Sequence, residues 1–467
     1  MVADHTDLAV VGAGPAGYTA AIRGAQHGLD VVLVERETVG GVCLNHGCIP
    51  AKALIHAAGF QKDIEHWNEI GINTGDVDVD FEAIQAWKSG VVERLDRQVL
   101  EKLDHHGVEY VEGTARFAAS DRLAIETDDG ERVVEFESAV IATGSQPMEI
   151  PGLEFHQDRV ISSREILQLE SVPDEIIVVG GGYIGMEAVT KFAKFGSRVK
   201  VVEARDRVLG MFEEEIVDSI QETSEMYDNE IYTSALASGV EYDETGRPIL
   251  VVEQDGVEKR LSGDYVIVAA GRETAPLRER LQLDHTAVEL DDDGFIATDE
   301  QMRTTDERIF CAGDAAGKPF LAHVGYREGK IAGEAAAGRD VRLDNEYTPA
   351  VMYTDPEVAV VGLNETEASQ THDGLNIGQV PLTASGRALT ANKTSGYVKV
   401  IADADEQLLG VQVVGARASD TIAEATLALE MDASLDDIAT TLHAHPTFPE
   451  ALAEAAEAAQ GESIHSY

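Results

Sequence analysis

The chain predicts an α/β protein with two Rossmann-like units and a C-terminal α+β module. Three observations carry this prediction. A glycine-rich turn between a strand and a helix occurs twice. Each copy closes on a glutamate at the same distance. Beyond Tyr347 the alternation of strands and helices gives way to strands followed by helices.

The first copy begins with the apolar run Leu8 to Val11, followed by Gly12, Gly14 and Gly17. Helix formers run from Tyr18 to Gln26, and a second strand, Val31 to Val34, ends at Glu35. The second copy has the strand Glu175 to Val179, then Gly180, Gly182 and Gly185, helix formers to Phe195, and a strand ending at Glu203. From first glycine to closing glutamate the offset is 23 residues in both. A lone GxGxxG is weak, but two in this context are strong. The first glycine allows the turn, the second lets backbone approach a pyrophosphate, and the third lets helix and strand pack closely. The helix N-terminus supplies N–H groups and a positive dipole end, and the glutamate can accept from a ribose hydroxyl.

Val140-Ile141-Ala142-Thr143-Gly144 and Val266 to Arg272 are strands ending in a glycine turn, one after each copy. A third apolar strand, Ile309 to Cys311, ends in Gly313-Asp314, where an acid could meet a ligand hydroxyl, and a helical stretch follows from His323 toward Ala337. Beyond Tyr347, strands are expected at Val358 to Val361, Tyr397 to Ile401 and Leu408 to Val414, with helices at Asp420 to Glu430 and at the end of the chain.

At 467 residues, several domains are expected. Acids number 85 against 36 bases, a formal charge of −49, which argues against a nucleic-acid-binding face. The acids are spread along the chain, and lysines are scarce (12 against 24 arginines). That surface is expected of a protein working at high salt, where self-repulsion is screened. No apolar run reaches the roughly 18 residues of a membrane span, and Met1 to Asp7 lack a basic leader, so a cytoplasmic protein is expected.

Three cysteines, Cys43, Cys48 and Cys311, are too few for a secreted framework. The Cys43/Cys48 spacing is unusual for zinc, and no second pair completes a site, so no metal is expected. A redox disulfide is the better reading. If a helix begins near Cys43, a bridge across that spacing needs a distorted first turn, and a helix N-terminus would favour the thiolate.

The pattern Gly40-Gly41-Val42-Cys43-Leu44-Asn45-His46-Gly47-Cys48-Ile49-Pro50-Ala51-Lys52, with His445-Pro446-Thr447 and Glu450 near the end, resembles the pyridine nucleotide–disulfide oxidoreductases over essentially the full length. Within that family it is most similar to the dihydrolipoamide dehydrogenase branch. The resemblance implies FAD and NAD as cofactors, a homodimer, and oxidation of dihydrolipoamide, carried on a lipoyl domain of a 2-oxoacid dehydrogenase complex, with reduction of NAD+. Cys43 would be the interchange thiol and Cys48 the charge-transfer thiolate facing the flavin. Lys52 would lie near the flavin and pair with Glu187. Gly12, Gly14, Gly17 and Glu35 would hold the ADP half of FAD, and Ala142-Thr143-Gly144 resembles a further FAD fingerprint. Asp314 would bind the ribityl chain, with backbone at Ala115 and Ala322. Gly180, Gly182, Gly185, Glu203 and Gly271 would line the NAD site. His445, oriented by Glu450, would be the general base, supplied by the other subunit.

The implied division is an FAD domain from 1–147 and 276–346, an NAD domain at 148–275 and a dimerisation domain at 347–467. Glu203 ending its strand favours NAD over NADP, although Arg205 and Arg207 lie close. There is no second cysteine pair near the C-terminus, as mercuric reductases carry, and the pair that soluble transhydrogenases lack is intact. His46 and Ala51 replace the usual Val and Ser of the cysteine motif, and Asp355 stands where a His is usual. His46 is expected to add a titratable group beside the disulfide.

Overall fold

The computed structural model describes residues 4–75 and 77–465. It is a mixed α/β protein that separates into two compact units, Met1–Val172 with Ile267–Asp344, and Pro173–Val266 with Asn345–Tyr467. Strand Tyr265–Val268 carries the chain from one to the other.

The first unit is built on strand Asp4–Val11, paired in parallel with Val31–Glu35 on one side and Gly130–Ile141 on the other. Glu109–Glu112 extends the sheet beyond Val31–Glu35. Gly130–Ile141 has 12 residues and does two jobs. Its first half joins the antiparallel strands Arg122–Thr127 and Thr114–Ala119, while its second half pairs in parallel with Ile309–Cys311. Leu8 and Val10 belong to one core cluster, and Ala9 and Val11 to the opposite one. Both faces of the strand are covered, which explains its unbroken apolar run.

Helices Pro15–Gln26 and Ala322–Ala336 pack backbone against backbone in this unit. A Cβ at Gly329 would stand 2.2 Å from the Ala16 carbonyl oxygen, and one at Gly333 would stand 2.5 Å from that of Ala20. Only glycine allows this approach. It holds the first helix, and with it the glycine turn that opens it, against a segment more than 300 residues away in sequence.

In the second unit, Glu175–Val179 pairs in parallel with Arg198–Val202, which pairs with Glu230–Tyr232. An antiparallel meander, Ala235–Tyr242, Pro248–Gln254 and Val257–Ser262, follows. The C-terminal part is a five-stranded antiparallel sheet in the order 350–352, 358–362, 408–415, 396–403, 375–381. The edge strands Ala350–Met352 and Leu375–Pro381 were not expected from the sequence. Helix Glu450–Gln460 lies directly on this sheet: a Cβ at Gly378 would stand 2.0 Å from the Ala455 carbonyl oxygen. Among the described residues, no helix is long and apolar enough to cross a membrane.

Two glycine substitutions should separate packing from propensity. Gly329→Ala should cost about 1–3 kcal/mol by forcing the two helices apart. Gly90→Ala, on an exposed position of helix Phe81–His105 with open space around its Cβ, should stabilise by about 0.5–1 kcal/mol. Denaturant midpoints of both variants check this, and equal midpoints would contradict it.

Candidate active site

The two glycine turns have the same local geometry. Gly12 has φ +99° and donates its N–H to Val34 O at 2.8 Å; Gly180 has φ +107° and donates to Val202 O at 2.9 Å. Both conformations lie where side chains are disfavoured. A Cβ at Gly17 would stand 1.8 Å from Gly12 O, and one at Gly185 would stand 2.0 Å from Gly180 O. At Gly14 and Gly182, by contrast, a Cβ would meet nothing within 4 Å. These middle glycines cap helices Pro15–Gln26 and Tyr183–Lys194 in extended conformation, with no side-chain cap.

The closing glutamates match as well. Glu35 accepts the Ala13 N–H at 2.7 Å and the Glu37 N–H at 2.8 Å. Glu203 accepts the Gly181 N–H at 2.7 Å and the Arg205 N–H at 2.8 Å. Each carboxylate is therefore fixed at the rim of its turn. An open middle glycine, an uncapped helix N-terminus and a rim carboxylate are what a dinucleotide requires, so both turns fit one. Gly271, at φ +139°, lies in the first unit, where its carbonyl accepts the Met148 N–H at 3.1 Å.

Beside the first turn lies a chain of polar groups that sequence reasoning missed. Arg272 donates from Nε to Ser145 Oγ at 2.7 Å and from Nη2 to the Ser145 carbonyl at 2.6 Å. The Ser145 hydroxyl in turn donates to Asp314. Burial raises the Asp314 pKa, while Ser145 and Arg272 oppose the rise. Glu328, from helix Ala322–Ala336, accepts the Gly313 N–H at 2.6 Å. Burial, with Asp314 nearby, pushes its pKa up to about 7. Arg272 follows Gly271 in the sequence, but its partner Ser145 lies 127 residues away and leaves no local signal. Gly144 has φ +69°, Thr143 is partly exposed beside it, Ala115 is buried in strand Thr114–Ala119, and Ala322 opens its helix.

The cysteine segment sits on the first glycine turn. Gly40 donates its N–H to Ala13 O at 2.8 Å. Gly41, at φ +60°, comes so close that its Cβ would stand 2.7 Å from the Gly14 Cα. The expected single helix with a distorted first turn is instead two helices, Gly41–Asn45 and Cys48–His66. The break falls at His46 and Gly47, where Gly47 (φ −146°, ψ −113°) caps the second helix. Cys43 lies inside the short helix, and Cys48 is the first residue of a 19-residue helix, where the dipole favours a thiolate. The two are not joined by a disulfide here. The Cys48 thiol, hydrogen-bonded to Cys43, and then burial push the Cys43 pKa far up, and the Lys52 ammonium pulls against them.

Tyr18 and Tyr326 flank this segment, with Tyr18 donating to the Tyr326 hydroxyl at 2.9 Å. Burial lowers the His46 pKa, Arg164 adds to that, and Glu37 and Glu165 oppose it. Cys311 is fully buried in its strand.

In the second unit, His445 Nδ1 lies 2.7 Å from Glu450 Oε1, so the ring donates there and turns Nε2 outward, with the side chain 80% exposed. The Thr447 N–H donates to the other Glu450 oxygen at 2.5 Å. Burial works to raise the Glu450 pKa, but the Thr447 N–H and His445 outweigh it and the net shift is downward. Glu187 accepts the Tyr353 N–H at 3.1 Å. Asp355 pairs with Lys194 at 2.8 Å.

Residues 6–329 match the family model described as pyridine nucleotide-disulphide oxidoreductase, and residues 348–456 match its dimerisation domain. The chain is 45% identical to dihydrolipoyl dehydrogenase 2 of Haloarcula marismortui, over 100% of this chain and 99% of that one. It is 42% identical to the dihydrolipoyl dehydrogenase of Haloferax volcanii (100% and 98% covered) and 41% identical to that of Bacillus subtilis (99% and 98%). The fold is shared with the HOCl-induced flavoprotein disulfide reductase RclA from Escherichia coli, at TM-score 0.87 and 24% identity over 97% of this chain and 99% of that one. LpdA from Mycobacterium tuberculosis matches to the same extent. On these matches the chain belongs to the pyridine nucleotide-disulphide oxidoreductase family.

Proposed function

We propose that this chain oxidises dihydrolipoamide to lipoamide and reduces NAD+, working as a cytoplasmic homodimer. The observation that carries the reading is the Cys43/Cys48 pair, seated on a dinucleotide turn with Cys48 at a helix N-terminus. Full-length relatives named dihydrolipoyl dehydrogenase support it. The dihydrolipoamide is taken to be carried on a lipoyl domain of a 2-oxoacid dehydrogenase complex. The domains proposed are FAD-binding at 1–147 and 276–346, NAD-binding at 148–275, and dimerisation at 347–467.

FAD would be held by Gly12, Gly14, Gly17, Glu35, Thr143, Gly144 and Asp314, with backbone at Ala115 and Ala322 and with Lys52 near its redox edge. NAD would be held by Gly180, Gly182, Gly185, Glu203 and Gly271, with Glu187 the proposed partner of Lys52. The Nε2 of His445, supplied by the other subunit of the homodimer, takes the proton of one substrate thiol, while Glu450 holds the ring's tautomer and stabilises its charge. The substrate thiolate attacks Cys43 Sγ in the Cys43–Cys48 disulfide. A substrate–Cys43 bond forms, and Cys48 leaves as thiolate. The second substrate thiol attacks the first substrate sulfur and expels Cys43, which takes that thiol's proton and leaves as thiol, while the proton on His445 is released to solvent. Lipoamide departs, and its two electrons remain on the cysteine pair. The bound flavin would accept those electrons and pass them as hydride to NAD+. The Lys52 ammonium and the helix dipole favour the Cys48 thiolate while it waits.

An anaerobic visible spectrum in high salt tests the reading. Dihydrolipoamide should produce a long-wavelength shoulder on the flavin band, and NAD+ should reverse it as NADH appears. A flavin that ignores dihydrolipoamide but is bleached by NADH would move the substrate to another disulfide. His445→Gln should lower dihydrolipoamide turnover by about 10²–10⁴-fold and leave NADH-driven reduction of ferricyanide near wild type. Equal loss in both assays would remove His445 from the role of base.

A further inference from the structure

A second histidine, His443, stands two residues before His445 in a different setting. Its side chain is 9% exposed, against 80% for His445. Nδ1 of His443 lies 2.9 Å from the Thr441 carbonyl oxygen. Its Nε2 lies 2.8 Å from Oε1 of Glu424, in helix Ala418–Glu430. A carbonyl oxygen only accepts, so Nδ1 carries a proton. An ionised carboxylate also only accepts, so Nε2 carries one too. A ring that donates from both nitrogens is an imidazolium. The other arrangement that satisfies both contacts puts the proton on Glu424. That gives up a charge-assisted bond at a carboxylate 38% exposed to water, where ionisation is cheap.

This ring anchors one end of the segment that carries His445. Thr441 is itself tied by its hydroxyl to the Asp437 carbonyl at 2.7 Å. The other end is held by Glu450 through His445 and the Thr447 N–H. The charged groups facing His443 are Glu424 from helix Ala418–Glu430 and, farther off, Glu450 from helix Glu450–Gln460.

We propose that His443 is a positioning residue whose imidazolium, paired with Glu424, fixes the His445 segment and supplies a positive charge beside the His445–Glu450 pair. That charge favours an ionised Glu450 and opposes a second proton on His445, leaving its Nε2 ready to accept one. The role rests on the reading of His445 as the base.

The test compares wild type, His443→Gln, Glu424→Gln and the double variant across pH, with kcat and KM for dihydrolipoamide and NADH–ferricyanide activity as a control. His443→Gln leaves Glu424 uncompensated. It should move the acid limb of kcat/KM about 0.5–1 pH unit upward and lower kcat near neutrality about tenfold, with KM within about twofold. In Glu424→Gln the amide can donate to a neutral His443 and preserve the shape, so its limb should fall between wild type and His443→Gln. The double variant should return to the Glu424→Gln position. A uniform loss at every pH with no displaced limb would mean a purely structural role and would overturn the proposal. Ring ¹⁵N spectra of histidine-labelled protein give a reading free of substrate. A histidine ring with both nitrogens protonated should be present at the pH of the assay, and that signal should be missing from His443→Gln. Its absence from wild type also overturns the proposal. A wild type inert to dihydrolipoamide but active with NADH and ferricyanide would instead defeat the functional reading, and the ¹⁵N spectra would still decide the protonation of His443.

Discussion

Close backbone contact around the first helix is the constraint on which the first unit depends. Gly17 lies against Gly12, Gly41 against Gly14, and Gly329 and Gly333 against Ala16 and Ala20. Each approach excludes a Cβ, and each fixes a different part of the site. The first sets the turn, the second seats the cysteine segment on it, and the third braces the helix from behind. The polar chain from Arg272 through Ser145 to Asp314 lies in the same unit, and so does Glu328 on the Gly313 N–H. Rigid backbone is a good support for redox chemistry, because two sulfurs must exchange partners without their surroundings shifting.

Much of this was legible in the sequence because it is written in residue types with few substitutes. A turn that needs φ near +100° next to a helix touching its own strand leaves a glycine at a fixed spacing, and twice it did. Paired cysteines and a histidine with a carboxylate five residues on are similarly distinctive. What escaped was of two kinds. Edge strands such as Ala350–Met352 and Leu375–Pro381 are short or carry polar residues, and their pairing partners rather than their composition make them strands. Side-chain chains such as Arg272–Ser145–Asp314 join residues brought together only by folding. The break between the cysteines was also illegible: Gly47 is the one local hint.

The charge of −49 is handled locally by sharing cations. Lys399, buried in the C-terminal sheet, lies 2.7 Å from Glu215, 3.5 Å from Glu365 and 3.7 Å from Glu213. Arg132 serves both Asp4 and Glu109, and the nearly buried Glu175 draws on Lys200 and Arg247. The Arg132 pairs, on exposed carboxylates, contribute little each. With more than two acids for every base, sharing still leaves a large negative excess, and screening by dissolved salt offsets its repulsion. Relatives from halophilic archaea, Haloarcula marismortui and Haloferax volcanii, are consistent with that setting.

Helix Ala322–Ala336 belongs to the second half of a discontinuous unit, and this bears on how the chain is made. On the ribosome, Met1–Val172 emerges long before the segment that braces its first helix. During that interval the backbone of Pro15–Gln26 faces water along the strip Gly329 and Gly333 will later cover, and Cys43 and Cys48 sit on a turn that is only half supported. Loop closure over so many residues is slow compared with local helix formation. The first glycine turn is therefore among the first elements whose sequence is complete, while the helix that braces it from behind is complete only when synthesis has passed residue 336.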